Sequence, residues 1–147
     1  MTERKSRARS AKQGQASVAS NAQEAIRRAE TLLPGVPADT GIDARWQAII
    51  AVGEHVEGEP EAVWEFVQAW GSNSQEDLRA AIATCLLEHL LEHHFAAIFP
   101  RVQQRALADP LFADTFLRCA QFGQAEEPSN AQRFQWLRRR LCRQGSA

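Results

Sequence analysis

Long apolar runs are missing from this 147-residue chain. No stretch approaches the roughly 18 consecutive apolar residues that a membrane span requires, and the first residues lack the apolar core of a secretory signal. Cysteine is scarce as well. Cys85, Cys119 and Cys142 are an odd set, and each falls within a helical pattern, which argues against a disulfide scaffold and reads as reduced thiols in a bacterial-type cytoplasm. No segment alternates apolar and polar residues with period 2, so no sheet is expected. The eight glycines are dispersed as helix terminators, which leaves no glycine-rich phosphate loop. The serines outside the first twenty residues sit at capping positions (Ser72, Ser74, Ser129) or at Ser146, and give little support for nucleophilic catalysis.

Charge is present in quantity but segregated. The net charge is −1, yet residues 1–14 carry +4, residues 41–127 hold fourteen acids against five arginines, and residues 128–147 hold five arginines and no acid. An acidic middle is flanked by two basic ends. Such ends keep a chain soluble, dock on an acidic surface, or grip an anionic partner.

Residues 1–19 combine Lys, Arg, Ser, Gln and Gly with almost no bulky apolar side chain, and read as a disordered basic tail. Residues 20–147 form one domain, long enough to bury about two-thirds of the surface its unfolded form exposes. Ser20 and Gln23 have capping-box spacing, and Ile26, Leu32 and Leu33 follow before Pro34 and Gly35 stop the helix. After a loop to Ile42, a helix over 43–56 places Trp46, Ala48, Ile49, Val52 and Val56 on one arc, with Gly58 at its end. Pro60 opens a helix to Trp70, with Val63, Phe66 and Val67 on its stripe and Gly71 as terminator. Ser74 and Asp77 again have capping-box spacing before the longest helix, 75–93. Pro100 is expected to start a helix ending near Asp109, Pro110 the next one, and Gly123 to cap that one. A last helix over 130–143 carries Phe134, Leu137 and Leu141.

These helices pair as 21–33 with 43–56, 60–70 with 75–93, and 97–108 with 111–122, leaving 130–143 as a cap. Asp43, Arg45, Glu54 and His55 recur 34 residues later as Asp77, Arg79, Glu88 and His89. A period in the thirties means helical hairpins, none of which can bury its apolar face alone. The two segments, D-A-R-W-Q-A-I-I-A-V-G-E and D-L-R-A-A-I-A-T-C-L-L-E, resemble the second helix of HEAT repeats. The resemblance spans about residues 21–122 and is degenerate in the third hairpin, which lacks the Asp-x-Arg. It implies an all-α, right-handed α-α superhelix of about three HEAT-like hairpins with a C-terminal capping helix. It further implies that Asp43, Arg45, Asp77 and Arg79 bond between neighbouring repeats. That architecture serves scaffolds, nucleic-acid binders and a few enzymes alike.

Three constellations carry chemistry. His89 to His93 spell H-x-x-E-H, whose two imidazoles at i and i+4 share a helix face and can hold zinc, with Glu92 as base. The peptidases with that motif also need a third ligand and a large α/β body, for which this chain has no strands; histidines bonded at a packing boundary are the alternative. His55 and His89, at equivalent positions, could converge with Cys85 on a metal. Deoxyhypusine hydroxylase, which resembles HEAT proteins, holds two irons by His-Glu pairs; here the order is Glu-His, which turns the pair away, and no cofactor is expected. On the last helix, Arg133, Trp136, Arg140 and Arg143 project within about 80° of one another, an indole among guanidinium groups that suits bases and phosphates. The plainer reading has Trp136 covering the end of the stack while the arginines stay solvated.

The function these features indicate is a non-enzymatic, cytoplasmic protein-interaction module. Glu54, His55, Glu88, His89 and Glu92 would point outward and receive a basic or extended protein partner on an acidic groove. The alternative is nucleic-acid binding through the basic tail with Arg133, Trp136, Arg140 and Arg143.

Overall fold

The computed structural model describes residues 21–35 and 43–146, and these are helical with no strand among them. The helices are α1 (residues 21–32), α2 (Ala44–Gly53), α3 (Pro60–Trp70), α4 (Glu76–Ile82), α5 (Glu88–His93), α6 (Phe95–Ala108), α7 (Pro110–Leu117) and α8 (Pro128–Ser146). A π-helical turn, Ala83–Leu87, joins α4 to α5, and a 3₁₀ turn, Gly123–Glu126, precedes α8. The expected basic tail and the Ser20 half of the first capping box lie outside the described residues.

Local chemistry sets most of these boundaries. The Asp43 carboxylate accepts the Arg45 N–H at 2.9 Å and so caps α2, while prolines open α3, α7 and α8 where their missing N–H costs nothing. α2 ends at Gly53, earlier than its apolar pattern suggests, because the chain tightens into i→i+3 bonds from His55 N–H to Val52 O and from Val56 N–H to Gly53 O. The Ser74–Asp77 capping box does not form. Gln75 precedes α4 instead, its N–H held by Asn73 Oδ1 at 2.9 Å, and the carbonyls of Asn73 and Ser74 accept from Arg79.

Pro100 does not begin a helix but lies inside α6. Phe95, Ile98 and Phe99 before it and Val102 and Ala106 after it are all buried. Burying those side chains, at about 1.5–3 kcal/mol for each large one, outweighs the roughly 3 kcal/mol of an interior proline. Gly123 likewise is not a helix cap. α7 stops at Leu117, and Gly123 opens the 3₁₀ turn at φ +51°, where a Cβ would sit 2.8 Å from Glu92 Cγ.

The helices form two layers. Arg45 on α2 reaches Asp77 on α4, and at the far end of α2 Gly53 lies against the Cys85 carbonyl; both pairs are 32 residues apart, so the helices run parallel. Arg79 meets Asp114, and Cys119 meets Ala83, at separations of 35 and 36, which sets α7 parallel beside α4. In the other layer, Glu61 with Arg101 and Gln68 with Arg105 align α3 with α6. Arg133 lies over Phe99, and Leu141 and Ala106 line one cavity, which sets α8 alongside α6. Between the layers, ring contacts run from Phe95 to Phe99 (4.7 Å), Phe116 (6.4 Å) and Phe134 (4.8 Å from Phe116), tying α6, α7 and α8 together. Ile26, Ala29 and Leu33 bring α1 into the same core.

The closeness of α2 to its neighbour gives a test. A Cβ on Gly53 would lie 2.8 Å from the Cys85 carbonyl oxygen, whereas one on Gly58 would meet nothing within 4 Å. Gly53→Ala is expected to lower stability by about 1–3 kcal/mol in urea denaturation, although alanine is the better helix former by about 1 kcal/mol. Gly58→Ala should cost little. A Gly53→Ala protein as stable as the parent would show that the two helices are not in this contact.

Candidate interaction surfaces

Near the N-terminal ends of α2 and α4, and along α7, opposite charges satisfy one another. Arg45, only 3 % exposed, donates to Asp43 through Nε (3.3 Å) and Nη2 (3.1 Å), to Gln75 Oε1 at 3.0 Å, to Gly35 O at 3.3 Å, and to Asp77. Arg79 donates to Asp114 at 2.9 Å, and Arg118 joins the same carboxylate at 2.9 Å while reaching Glu76 at 2.7 Å. Asp114 on α7 therefore does for Arg79 what Asp77 on α4 does for Arg45. Sequence reading missed it because the carboxylate sits one turn further into its helix; its i, i+4 spacing to Arg118 is the signal that could have found it.

These pairs shift the acids. Asp43 is held below the ordinary aspartate value of 3.8 chiefly by the Arg45 guanidinium, against the opposing effect of burial. For Asp114, burial pushes the carboxyl up, but the hydrogen bonds from Arg118 and Arg79 outweigh it and the net shift is downward. Asp109, which caps α7, is lowered mainly by the Ser72 hydroxyl, 2.6 Å away.

The opposite rim is built differently. Here the C-terminal ends of α2, α5 and α7 and the chain following them lie together: His93 Nδ1 is 3.4 Å from Glu57, His94 Nε2 is 3.1 Å from Val56 O, and the Ala120 N–H donates to Glu88 at 2.9 Å. Segments 54–59, 88–94 and 119–127 contain seven glutamates and all four histidines but no lysine or arginine. Glu54 is exposed and His55 half-buried, 3.8 Å from Glu59. Exposed Phe122, which sequence reading passed over, stacks on the His89 ring at 6.5 Å. Gln124 fastens the break between α5 and α6, donating to His93 O (2.8 Å) and accepting from Phe95 N–H (2.9 Å).

Two expectations about this rim change. Glu88 does not point outward: it is 8 % exposed and spends its carboxylate on the Ala120 N–H. The cause is the π turn at Ala83–Leu87, where the Glu88 N–H bonds five residues back to Ala83 O. One residue is added without advancing the helix, so everything after it is rotated by roughly 100° from a regular projection. The same rotation takes His93 off the apolar face where a regular helix would put it, leaving it half-exposed.

The H-x-x-E-H residues are assembled around their glutamate. His89 Nδ1 is 2.9 Å from Glu92 Oε1, and His93 Nε2 is 3.4 Å from the same oxygen. Among the described residues no group of three or more His, Cys, Asp or Glu side chains is placed to hold a metal ion, so Cys85, His55 and His89 are not brought together as ligands. Cys85 instead lies near the Thr84 hydroxyl, its thiol pushed up by burial. The Cys119 thiol is buried, raised well above its ordinary value by desolvation, and bonded to the carbonyls of Ala83 and Thr115 at 3.7 Å. Neither is a poised nucleophile.

On α8, Arg133, Trp136, Arg140 and Arg143 are all exposed, as is Arg139 between them. Arg133 lies over the rings of Phe95 and Phe99 at 5.9 and 5.0 Å, while Arg138 turns inward to donate to Cys119 O at 3.1 Å. Trp136, 41 % exposed, lines a groove of about 350 Å³ with Gln103, Gln132 and Arg133. No helix among the described residues is long and apolar enough to cross a membrane.

The sign of the carboxylate shifts fixes a pH dependence. Because Asp43, Asp109 and Asp114 are lowered in the folded state, their stabilisation is present above the ordinary value of 3.8 and is lost as pH falls through the lower folded values. Asp114→Asn should be less stable than the parent at pH 7 in urea denaturation, with the gap closing as pH drops below 3.8. A gap that stays constant down to pH 2 would show that the ladder contributes no charge-dependent stability.

In comparisons with family models, curated proteins and solved structures, nothing matched this chain, so its functional reading rests on the chemistry of these surfaces.

Proposed function

We propose that this chain is a non-enzymatic protein-interaction module, made of HEAT-like hairpins stacked as a short α-solenoid, that receives a basic or extended partner on the rim formed by the C-terminal ends of α2, α5 and α7. The composition of segments 54–59, 88–94 and 119–127 carries the reading: seven glutamates and four histidines with no lysine or arginine, while Arg118 at the end of α7 is spent on Asp114 and Glu76. Parallel helices reinforce it, since each C-terminus adds the partial negative charge of its helix dipole to the same edge. Exposed Phe122 and His89 supply flat surface at its centre. The contact set is Glu54, His55, Glu57, His89, Glu92 and Phe122, with Glu88 as a strut beneath them rather than a contact.

A lysine- and arginine-rich peptide is the probe for this rim, titrated calorimetrically at 20 to 300 mM salt. Affinity should fall steeply with salt, and Glu54→Lys with Glu57→Lys should weaken binding at least tenfold without altering the circular dichroism spectrum. Binding indifferent to both salt and these substitutions would remove the rim as the docking site.

A further inference from the structure

We propose that the outward face of α8 binds single-stranded nucleic acid, with Trp136 as the stacking platform and Arg139, Arg140 and Arg143 as phosphate contacts. This activity is separate from the rim and uses the other layer of the fold. α8 is the last helix of its layer: Phe134, Leu137 and Leu141 are buried toward α6 and α7, and nothing in the described chain covers its opposite side.

What the arginines do elsewhere sharpens the inference. In the described chain after α1 and before α8, every arginine is engaged: Arg45, Arg79, Arg101 and Arg118 by carboxylates, Arg105 by the Gln68 carbonyl. Of the α8 arginines, Arg138 and Arg133 alone have a fixed partner among the described residues, in a carbonyl and in aromatic rings. Among the described residues no carboxylate lies within ion-pair distance of Arg139, Arg140 or Arg143. Residues 128–147 contain no acid at all, so among the described residues this positive face has no paired counter-charge. A polyanion supplies it.

The groove beside the indole narrows the class of polyanion. Trp136 stands at its edge with the amides of Gln103 and Gln132, and each amide offers both a donor and an acceptor. A base stacked on the indole would find hydrogen-bonding groups next to it, while Arg139, Arg140 and Arg143 follow within two turns, about 10 Å along the axis. Indole faces stack on any base, and cationic grooves track the sugar-phosphate chain. A single strand can keep to this one helix. A duplex would bring a second phosphate backbone against the acid-rich remainder, which carries fourteen acids against five arginines over residues 41–127. From α8 itself an anionic bilayer would gain one indole and no other large apolar side chain, because the rest of the α8 apolar stripe is buried.

The test is fluorescence anisotropy of labelled 15-mers, oligo-dT and oligo-U, with the full chain at 50 and 200 mM salt. Binding should weaken with salt. Trp136→Ala should lose about ten- to hundredfold in affinity, Trp136→Phe should retain most of it, and Arg140→Glu with Arg143→Glu should abolish it, all with unchanged circular dichroism. Arg27→Glu with Arg28→Glu, exposed on α1, should leave it intact. The inference fails if neither oligonucleotide binds. It fails equally if the α8 variants bind as the parent does while neutralising Arg4, Lys5, Arg7, Arg9 and Lys12 abolishes binding, or if phosphatidylserine vesicles bind through Trp136 and the oligonucleotides do not.

Discussion

Everything in this fold depends on how Arg45 is held. Its guanidinium is almost wholly removed from water, between the carboxylate that caps its own helix, Asp43, and one on α4, Asp77. A buried guanidinium without partners is strongly destabilising, so its presence selects the one arrangement in which both carboxylates are within reach. That arrangement is α2 lying parallel to α4 with their first turns level. Arg79 and Asp114 repeat the device between α4 and α7, with Arg118 and Glu76 extending it outward. Apolar burial supplies the bulk of the stabilisation, but it is indifferent to small slips between helices; the ion ladder is not.

Once the first turns are level, the functional surfaces follow. Parallel helices in one layer put their C-termini on one edge, and the glutamates and histidines of α5 and of the segments after α2 and α7 gather there. The ladder also decides which charges remain available. Cations near the N-terminal rim are consumed by carboxylates, whereas Arg139, Arg140 and Arg143 lie beyond the ladder's last member and face solvent. Charge already segregated along the chain is thereby sorted in space into a neutralised rim, an acidic rim and a basic terminal helix.

Much of the architecture was legible in the residues. The 34-residue recurrence of Asp-x-Arg located the two helices that Arg45 joins, and apolar spacing placed all the helices within a few residues. The exceptions share a cause, which is that tertiary contacts overruled a local rule. Pro100 stays inside α6 because buried phenylalanines flank it. Gly123 answers to the approach of Glu92 and not to a helix end. The outward placement of Glu88 assumed a regular helix, and no residue between Ala83 and Leu87 announces the π turn that rotates it inward. Asp114 escaped because its role depends on which helix lies beside it. Of the residues expected to face a partner, Glu54 and the α8 set Arg133, Trp136, Arg140 and Arg143 are exposed as expected, whereas His89 and Glu92 are partly engaged with each other.

The most direct test of the central claim is a double-mutant cycle between Arg45 and Asp77, using Arg45→Met, Asp77→Asn and the double variant, with stability from urea denaturation at pH 7. A bond that sets the register of α2 against α4 predicts a coupling energy of about 1–3 kcal/mol. Single effects that add to within about 0.5 kcal/mol would contradict it, leaving the parallel stacking of α2 on α4 without its organising contact.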